Sequence, residues 1–323
     1  MQPHNEIDGV SATRVDPSPR QPVLMVVHAH PDDESSQTGG TLAAYSAAGW
    51  RTILITCTDG AEGDGVAGSK PGQAEHDPKQ VAERRSGELD MAAVALGIHE
   101  VIKLGFPDSG VPTESVVTAR KVFSRRPLRP MVDRLAGLIG LHRPDVVVTY
   151  PPNGLSGHPD HIRTHTLVRA ALRAVKATKS TAGETGYVEP PLLYYIALSR
   201  SRLLAVHTRV RAALGPDAWV PPAEMSIDDS EVTTVIDIAA HWRDKLRALS
   251  AHASQSDAAA LLKMFTAAEG RGPGGYVEEY VAADARRSGQ PVEPGFGGIA
   301  PTAPAGRVLS AAGTIRSEVE WRP

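Results

Sequence analysis

The chain has 323 residues, a length that suits one large domain or two small ones. Its 34 Lys and Arg against 37 Asp and Glu leave a net charge of −3, and 41% of the residues are hydrophobic, enough for a buried core. These values argue against a disordered chain, a collagen-like repeat and a nucleic-acid binder, which carries a basic excess. The single cysteine, Cys57, allows no internal disulfide and points to a reducing compartment, hence the cytoplasm. No apolar run approaches the length of about 18 residues that a membrane span needs, so no membrane partner is expected.

Residues 1–21 are polar and aperiodic, lack the apolar stretch of a signal peptide, and read as a flexible leader. Residues 22–28 (PVLMVVH) form a short apolar run that fits a strand buried on both faces. Small and apolar residues at helical spacing follow over 38–50, then a second buried strand over 52–58 (TILITCT). Residues 59–77 are glycine-rich and aperiodic, a long loop of the kind that often serves as a functional lid. A helix is expected over 78–96, stopped by Gly97, and a strand over 101–106. A helix over 127–141 ends before Pro144, and residues 145–150 (DVVVTY) form a fourth strand. A further helix runs over about 159–177, strands over 192–198 and 232–238, and helices over 239–253 and 257–267. Strands alternate with helices four times in the first 177 residues. That pattern predicts an α/β domain over 22–283, with a Rossmann-like, mostly parallel sheet covered by helices on both faces. Residues 284–323, rich in Gly, Pro and Ala, are expected to be a tail or a lid.

Two similar motifs sit at strand exits. The first strand runs into His28-Ala29-His30-Pro31-Asp32-Asp33-Glu34, and the fourth leads to Ser156-Gly157-His158-Pro159-Asp160-His161. In an open α/β sheet, ligands bind beyond the carboxyl ends of the strands where the strand order reverses. A strand order beginning 3-2-1-4 puts that reversal between strands one and four, so the two motifs would face each other across one crevice. Together they offer His30, Asp32, Asp33, His158, Asp160 and His161, more than the three ligands of a catalytic zinc. Zinc brings the pKa of its bound water toward about 7, a neighbouring carboxylate can act as general base, and a histidine opposite can stabilise an oxyanion or protonate a leaving amine. Neither motif contains cysteine. The plainer reading of the same residues is a helix-capping aspartate with structural histidines.

VVHAHPDDES, with SGHPDHIRTHT after DVVVTY, resembles the LmbE-like (PIG-L) zinc-dependent N-deacetylase family, and within it the mycothiol-pathway branch. The resemblance spans about residues 22–282 and includes Arg85-Ser86-Gly87-Glu88-Leu89, Asp108-Ser109-Gly110 and Ala251-His252-Ala253-Ser254-Gln255. It implies His30, Asp33 and His161 as ligands of Zn2+, with Fe2+ or Co2+ also acceptable to a two-histidine, one-aspartate site. It implies Asp32 as general base, His158 as the histidine that aids the oxyanion or leaving group, and Asp160 as the residue that orients the His158 ring. Arg85 and Asp108 match positions that hold the sugar substrate. Ser156 stands where the mycothiol-branch enzymes place a carbonyl-polarising tyrosine, and Gln37 stands where the conjugate amidases tend to carry lysine.

The implied reaction is hydrolysis of an N-acetyl amide on a small-molecule amino sugar. An amidase acting on a thiol conjugate, a tailoring deacetylase of secondary metabolism and a non-catalytic metal- or sugar-binding protein are the rivals. A homo-oligomer stays open. Among the remaining candidates, His165 lies one helical turn after His161, His28 reads as packing or support, Cys57 as a small core residue, and His252 with Gln255 as residues that close the site.

Overall fold

The computed structural model describes residues 20–111, 122–182, 190–270, 275–284 and 291–302. Along the chain the strands are β1 (Val23–His28), β2 (Arg51–Thr58), β3 (Glu100–Phe106), β4 (Val146–Thr149), β5 (Leu192–Ala197), β6 (Thr234–Asp237) and β7 (Val277–Ala282). The helices are α1 (Asp33–Ala47), α2 (Pro78–Leu96), α3 (Leu128–His142), α4 (Pro159–Ala182), α5 (Arg200–Leu214), α6 (Trp242–Ala251) and α7 (Ser256–Ala267).

One seven-stranded sheet has the order β3-β2-β1-β4-β5-β7-β6. The first five strands in that order run parallel, and β7 is antiparallel to both β5 and β6. The predicted 3-2-1-4 opening is therefore present, and the order reverses between β1 and β4. Alternate residues of β1 point to opposite faces. Leu24 and Val26 join a core with Leu42 and Tyr45 of α1, Leu89 and Leu96 of α2, and Trp242 of α6. Val23, Met25 and Val27 join a second core with Leu135 and Ile139 of α3 and Leu167 of α4. Both faces of the central strands are thus dry, which explains their largely apolar runs.

Three parts of the chain differ from the sequence expectation. The helix after β1 begins at Asp33 rather than near residue 38, because its first turn is built from the charged residues Asp33 and Glu34, both buried. Strand β7 went unrecognised because two glutamates interrupt its pattern. Both are buried and paired: Glu278 with Lys245 at 2.6 Å, Glu279 with the Ser199 N–H and hydroxyl at 2.6 and 2.8 Å. Helix α5 was also unforeseen, since only Leu203, Val206 and Val210 are buried in a run rich in Arg.

Residues 291–302, within the segment expected to be a tail or lid, run mostly exposed over the surface and are anchored in the core by one side chain. Phe296 is buried against Tyr45, Tyr194 and Tyr280. Tyr45 lies at the C-terminal end of α1, the opposite end from the β1 exit, so these residues do not cover the crevice. No described helix is long and apolar enough to cross a membrane.

Candidate functional site

The parallel registers align the ends of β1, β2 and β4: His28 pairs with Thr56, and Val26 with Val148. The chain leaving β1 turns at Pro31 and Asp32 into α1. Asp32 holds φ 111°, a left-handed conformation unusual for a side chain other than glycine. The chain leaving β4 carries Tyr150 and turns back through residues 151–158 into α4. Gly154 permits that turn: its φ is 71°, and a Cβ there would lie 2.9 Å from the His161 Cβ.

Tyr150 ties the two exits together. Its hydroxyl accepts the Ala29 N–H at 2.9 Å and donates to Asp33 Oδ2 at 2.6 Å, and its ring stacks on His161 at 4.2 Å. Asp33 Oδ2 also accepts the His30 N–H at 2.8 Å. Across this tie the donors of three residues form a triangle in which both Asp33 oxygens take part. His30 Nδ1 lies 3.4 Å from Asp33 Oδ2, His161 Nε2 lies 3.5 Å from Asp33 Oδ1, and the two ring nitrogens are 3.3 Å apart. A tetrahedral zinc with bonds of about 2.0–2.1 Å sets its ligand atoms about 3.4 Å apart, the spacing of each of these three pairs.

His161 Nδ1 donates to the Gly154 carbonyl at 3.0 Å, so Nε2 is the nitrogen that faces the triangle. His30 Nε2 points away from the triangle, 3.5 Å from Asp108 Oδ1 and 3.4 Å from Asp160 Oδ2. Burial disfavours a charged His30 ring, but Asp108, Asp160 and Asp33 outweigh it and hold the ring well above the ordinary histidine range. Three buried carboxylates around one imidazole call for positive charge, which a cation among the same donors would supply. Taking one atom from each residue, the sets among the described residues that lie wholly within 4.8 Å are His30, His158 and His161, and His30, Asp108 and Asp160, so His158, Asp108 and Asp160 share the cluster with the triangle.

Beside the triangle, Asp32 accepts from Arg85 Nη2 at 2.7 Å. Burial pushes the Asp32 carboxyl up to about 8, against the lowering pull of Arg85. Arg85 is itself buried and also donates to the carbonyls of Gly60 at 2.9 Å and Pro31 at 2.5 Å. His158 stands edge-on to His30, with ring centroids 4.6 Å apart. Burial, followed by the charges of His30 and His161, pushes His158 down to about 4, so its ring is neutral at pH 7. Its Nδ1 accepts the Asp160 N–H at 3.2 Å, which places the ring proton on Nε2.

The other candidate residues are placed by their own contacts. Asp160 orients His158 through its main chain, while its carboxylate accepts the Ser109 N–H at 2.9 Å and faces His30. Asp108, expected at the sugar, is buried with Oδ1 on the Gly110 N–H at 2.9 Å and near His30. Arg85, also expected at the sugar, is bound to Asp32 and the main chain. Ser156 is exposed, with Oγ 3.4 Å from His161 Nδ1. His165 turns to the Tyr150 carbonyl at 2.9 Å and His28 to Thr38 at 2.9 Å, so neither enters the triangle. Tyr150 was missed altogether. As the last letter of an apolar strand it gave no sign of carrying a hydroxyl to both exits.

Residues 25–172 match the family model described as PIG-L, GlcNAc-PI de-N-acetylase. The chain is 38% identical over 242 residues to the 1D-myo-inositol 2-acetamido-2-deoxy-alpha-D-glucopyranoside deacetylase of Saccharomonospora viridis, covering 72% of this chain and 84% of that one. The protein of the same name from Rhodococcus erythropolis is 39% identical over 243 residues, covering 72% and 80%. The chain belongs to the PIG-L family.

Both HPD motifs lie inside the stretch matched to the PIG-L family, and the Ala251–Gln255 turn lies outside it. Among solved structures, the N,N'-diacetylchitobiose deacetylase of Pyrococcus horikoshii shares the fold, with a TM-score of 0.53, 19% identity and coverage of 80% of this chain and 83% of that one. The 4-carboxy-2-hydroxymuconate hydratase GalB shares it equally, with a TM-score of 0.55, 18% identity and coverage of 84% and 99%. A hydratase and a deacetylase on one fold mean that the reaction must be argued from the site.

Proposed function

We propose that this PIG-L protein hydrolyses the N-acetyl amide of an N-acetylglucosaminyl substrate joined to an inositol, giving acetate and the free amine. The observation that carries the reading is the donor triangle of His30, Asp33 and His161, bordered by a partly buried carboxylate and a neutral histidine. Those three residues would hold a divalent metal, Zn2+ before Fe2+ or Co2+. Such an ion acidifies water and polarises an amide carbonyl. The names of the relatives support the substrate class.

Asp32 takes a proton from the attacking water. Its raised pKa suits a base working near neutrality, and Arg85 holds the carboxylate at one oxygen. His158 donates from Nε2 to the oxygen that becomes negative as the amide carbonyl turns tetrahedral, and its neutrality keeps that proton in place. Breaking the C–N bond requires a proton on the amine, and protonated Asp32 returns the one it took. Asp160 and Asp108 face the His30 ring from behind and favour positive charge there. Ser156, exposed beside His161, contacts the substrate at the rim.

Replacing Asp32 with Asn tests the assignment by amine release from the inositol-linked substrate. The variant should keep the wild-type metal content and lose about 10²–10⁴-fold in kcat. Full rate in the Asn variant with metal bound would remove Asp32 from the reaction.

A further inference from the structure

The turn Ala251-His252-Ala253-Ser254-Gln255 at the end of α6 has no part in the proposed reaction, although His252 and Gln255 both reach toward the site. His252 is buried, and its Nε2 donates to Glu34 Oε1 at 2.7 Å. Glu34, buried in the first turn of α1, accepts the Asp32 N–H at Oε2, 2.9 Å away. The Ser35 hydroxyl completes its shell at 2.5 Å. Glu34 therefore clamps the main chain of a residue held at φ 111°, a conformation that persists only where its surroundings enforce it. The His252 donor is what keeps that buried carboxylate aimed.

Gln255 reaches the other side of Asp32. Its Oε1 accepts the Asp64 N–H at 2.9 Å and its Nε2 donates to the Asp64 carbonyl at 3.3 Å. Asp64 in turn accepts the Ser256 N–H at 2.9 Å and pairs with Lys70. The fit is close: a Cβ on Gly63 would lie 2.3 Å from Gln255 Oε1 and 2.6 Å from Arg85 Nη1. The segment fixed in this way carries Gly60, whose carbonyl accepts from Arg85, and Arg85 holds the Asp32 carboxylate. Ser254 anchors the turn itself, with its N–H and hydroxyl both on Glu88 at 2.8 Å.

We infer that this turn is the positioning element of Asp32, His252 setting its main chain through Glu34 and Gln255 setting its carboxylate through residues 60–64 and Arg85. The inference rests on Asp32 as the base of the proposed reaction. His252 and Gln255 are positioning residues, not catalytic ones, because both act through Asp32.

The test uses the full-length, zinc-loaded protein. His252→Leu removes the donor to Glu34, and His252→Gln restores one at a similar reach. A displacement of about 1 Å in a reacting group costs on the order of 100-fold in rate, so His252→Leu should lower kcat by about that factor with KM little changed, and His252→Gln should recover most of it. In an Asp32→Asn background the Leu substitution should leave the residual rate nearly unchanged, because effects passing through one residue do not multiply. Hydrogen exchange of the Asp32 amide, free of any assumption about the reaction, should quicken in His252→Leu and return toward wild type in His252→Gln.

Unchanged kcat in His252→Leu, a loss that multiplies with that of Asp32→Asn, or unchanged amide exchange would overturn the inference. Gln255→Met supplies the same kinetic and background comparison through the second arm if His252→Leu does not fold. A wild-type protein that releases no amine would defeat the proposed function instead, and the amide exchange would still decide the clamp.

Discussion

Removing one oxygen atom, in Tyr150→Phe, should loosen both the fold and the proposed metal site. Phe keeps the ring that stacks on His161 at 4.2 Å, so packing is preserved and the hydroxyl alone is tested. Two buried hydrogen bonds disappear. The Ala29 N–H loses its acceptor, which costs about 1–3 kcal/mol when no water replaces it. Asp33 loses a charge-assisted donor, worth about 1.5–3 kcal/mol. Allowing for partial relaxation, the expected loss is about 3 kcal/mol. For a domain of this size that is a fall in Tm of about 6–12 °C in chelator. Asp33 should also hold its place in the donor triangle less firmly, lowering zinc affinity by about 10–100-fold. Thermal unfolding in chelator and competition against a zinc-binding dye measure the two effects separately. A Tm within about 2 °C of wild type together with unchanged zinc affinity would show that the hydroxyl does not bridge the two strand exits.

Other outcomes follow from buried charge. Lys245→Met leaves Glu278 ionised without its partner, and denaturant unfolding should show a loss of about 3–5 kcal/mol. Adding Glu278→Gln should return most of that loss, because a neutral amide can stay buried without an opposing cation. His28 is buried and pushed down to about 4 by its burial, while the unfolded chain titrates near 6.5. The unfolded state therefore binds the extra proton. The stability supplied by a neutral His28 is complete above pH 6.5 and is lost as the pH falls toward 4, by up to about 3 kcal/mol. His28→Gln keeps a donor for Thr38 without titrating, and its urea midpoint should fall less between pH 7 and 4.5 than that of wild type.

The centre of the fold was legible because its signals are local. β1 and β4 are apolar runs, β2 is a largely β-branched run of Ile, Thr and Leu, and the 3-2-1-4 order brings the His28–Glu34 and Ser156–His161 stretches to one crevice. The far edge was not, because it is built from charges that find partners only after folding. Glu278 and Glu279 look like solvent-facing residues until Lys245 and Ser199 are placed beside them. The first turn of α1 was hidden for the same reason, its Asp33 and Glu34 being satisfied by Tyr150, His30 and His252 from distant parts of the chain.

Within the site, residue type announced which groups could meet but not which way they would point. Arg85 and Asp108 carry the charge and hydrogen-bonding groups a sugar contact needs, yet long-range packing turns one to Asp32 and the other to His30. Asp160 and Tyr150 show the same limit. A main-chain N–H and a phenol hydroxyl do work that no spacing in the sequence encodes.

The most direct test combines metal content with turnover. Protein purified without added metal is analysed for its bound ion, then assayed for amine release from the inositol-linked N-acetylglucosaminyl substrate before and after chelation and on return of zinc. About one zinc per chain, with amine release that chelator abolishes and zinc restores, is the expected result. Amine release that survives complete removal of metal, or a chain that takes up no metal through His30, Asp33 and His161, would contradict the assignment of the triangle as a catalytic metal site.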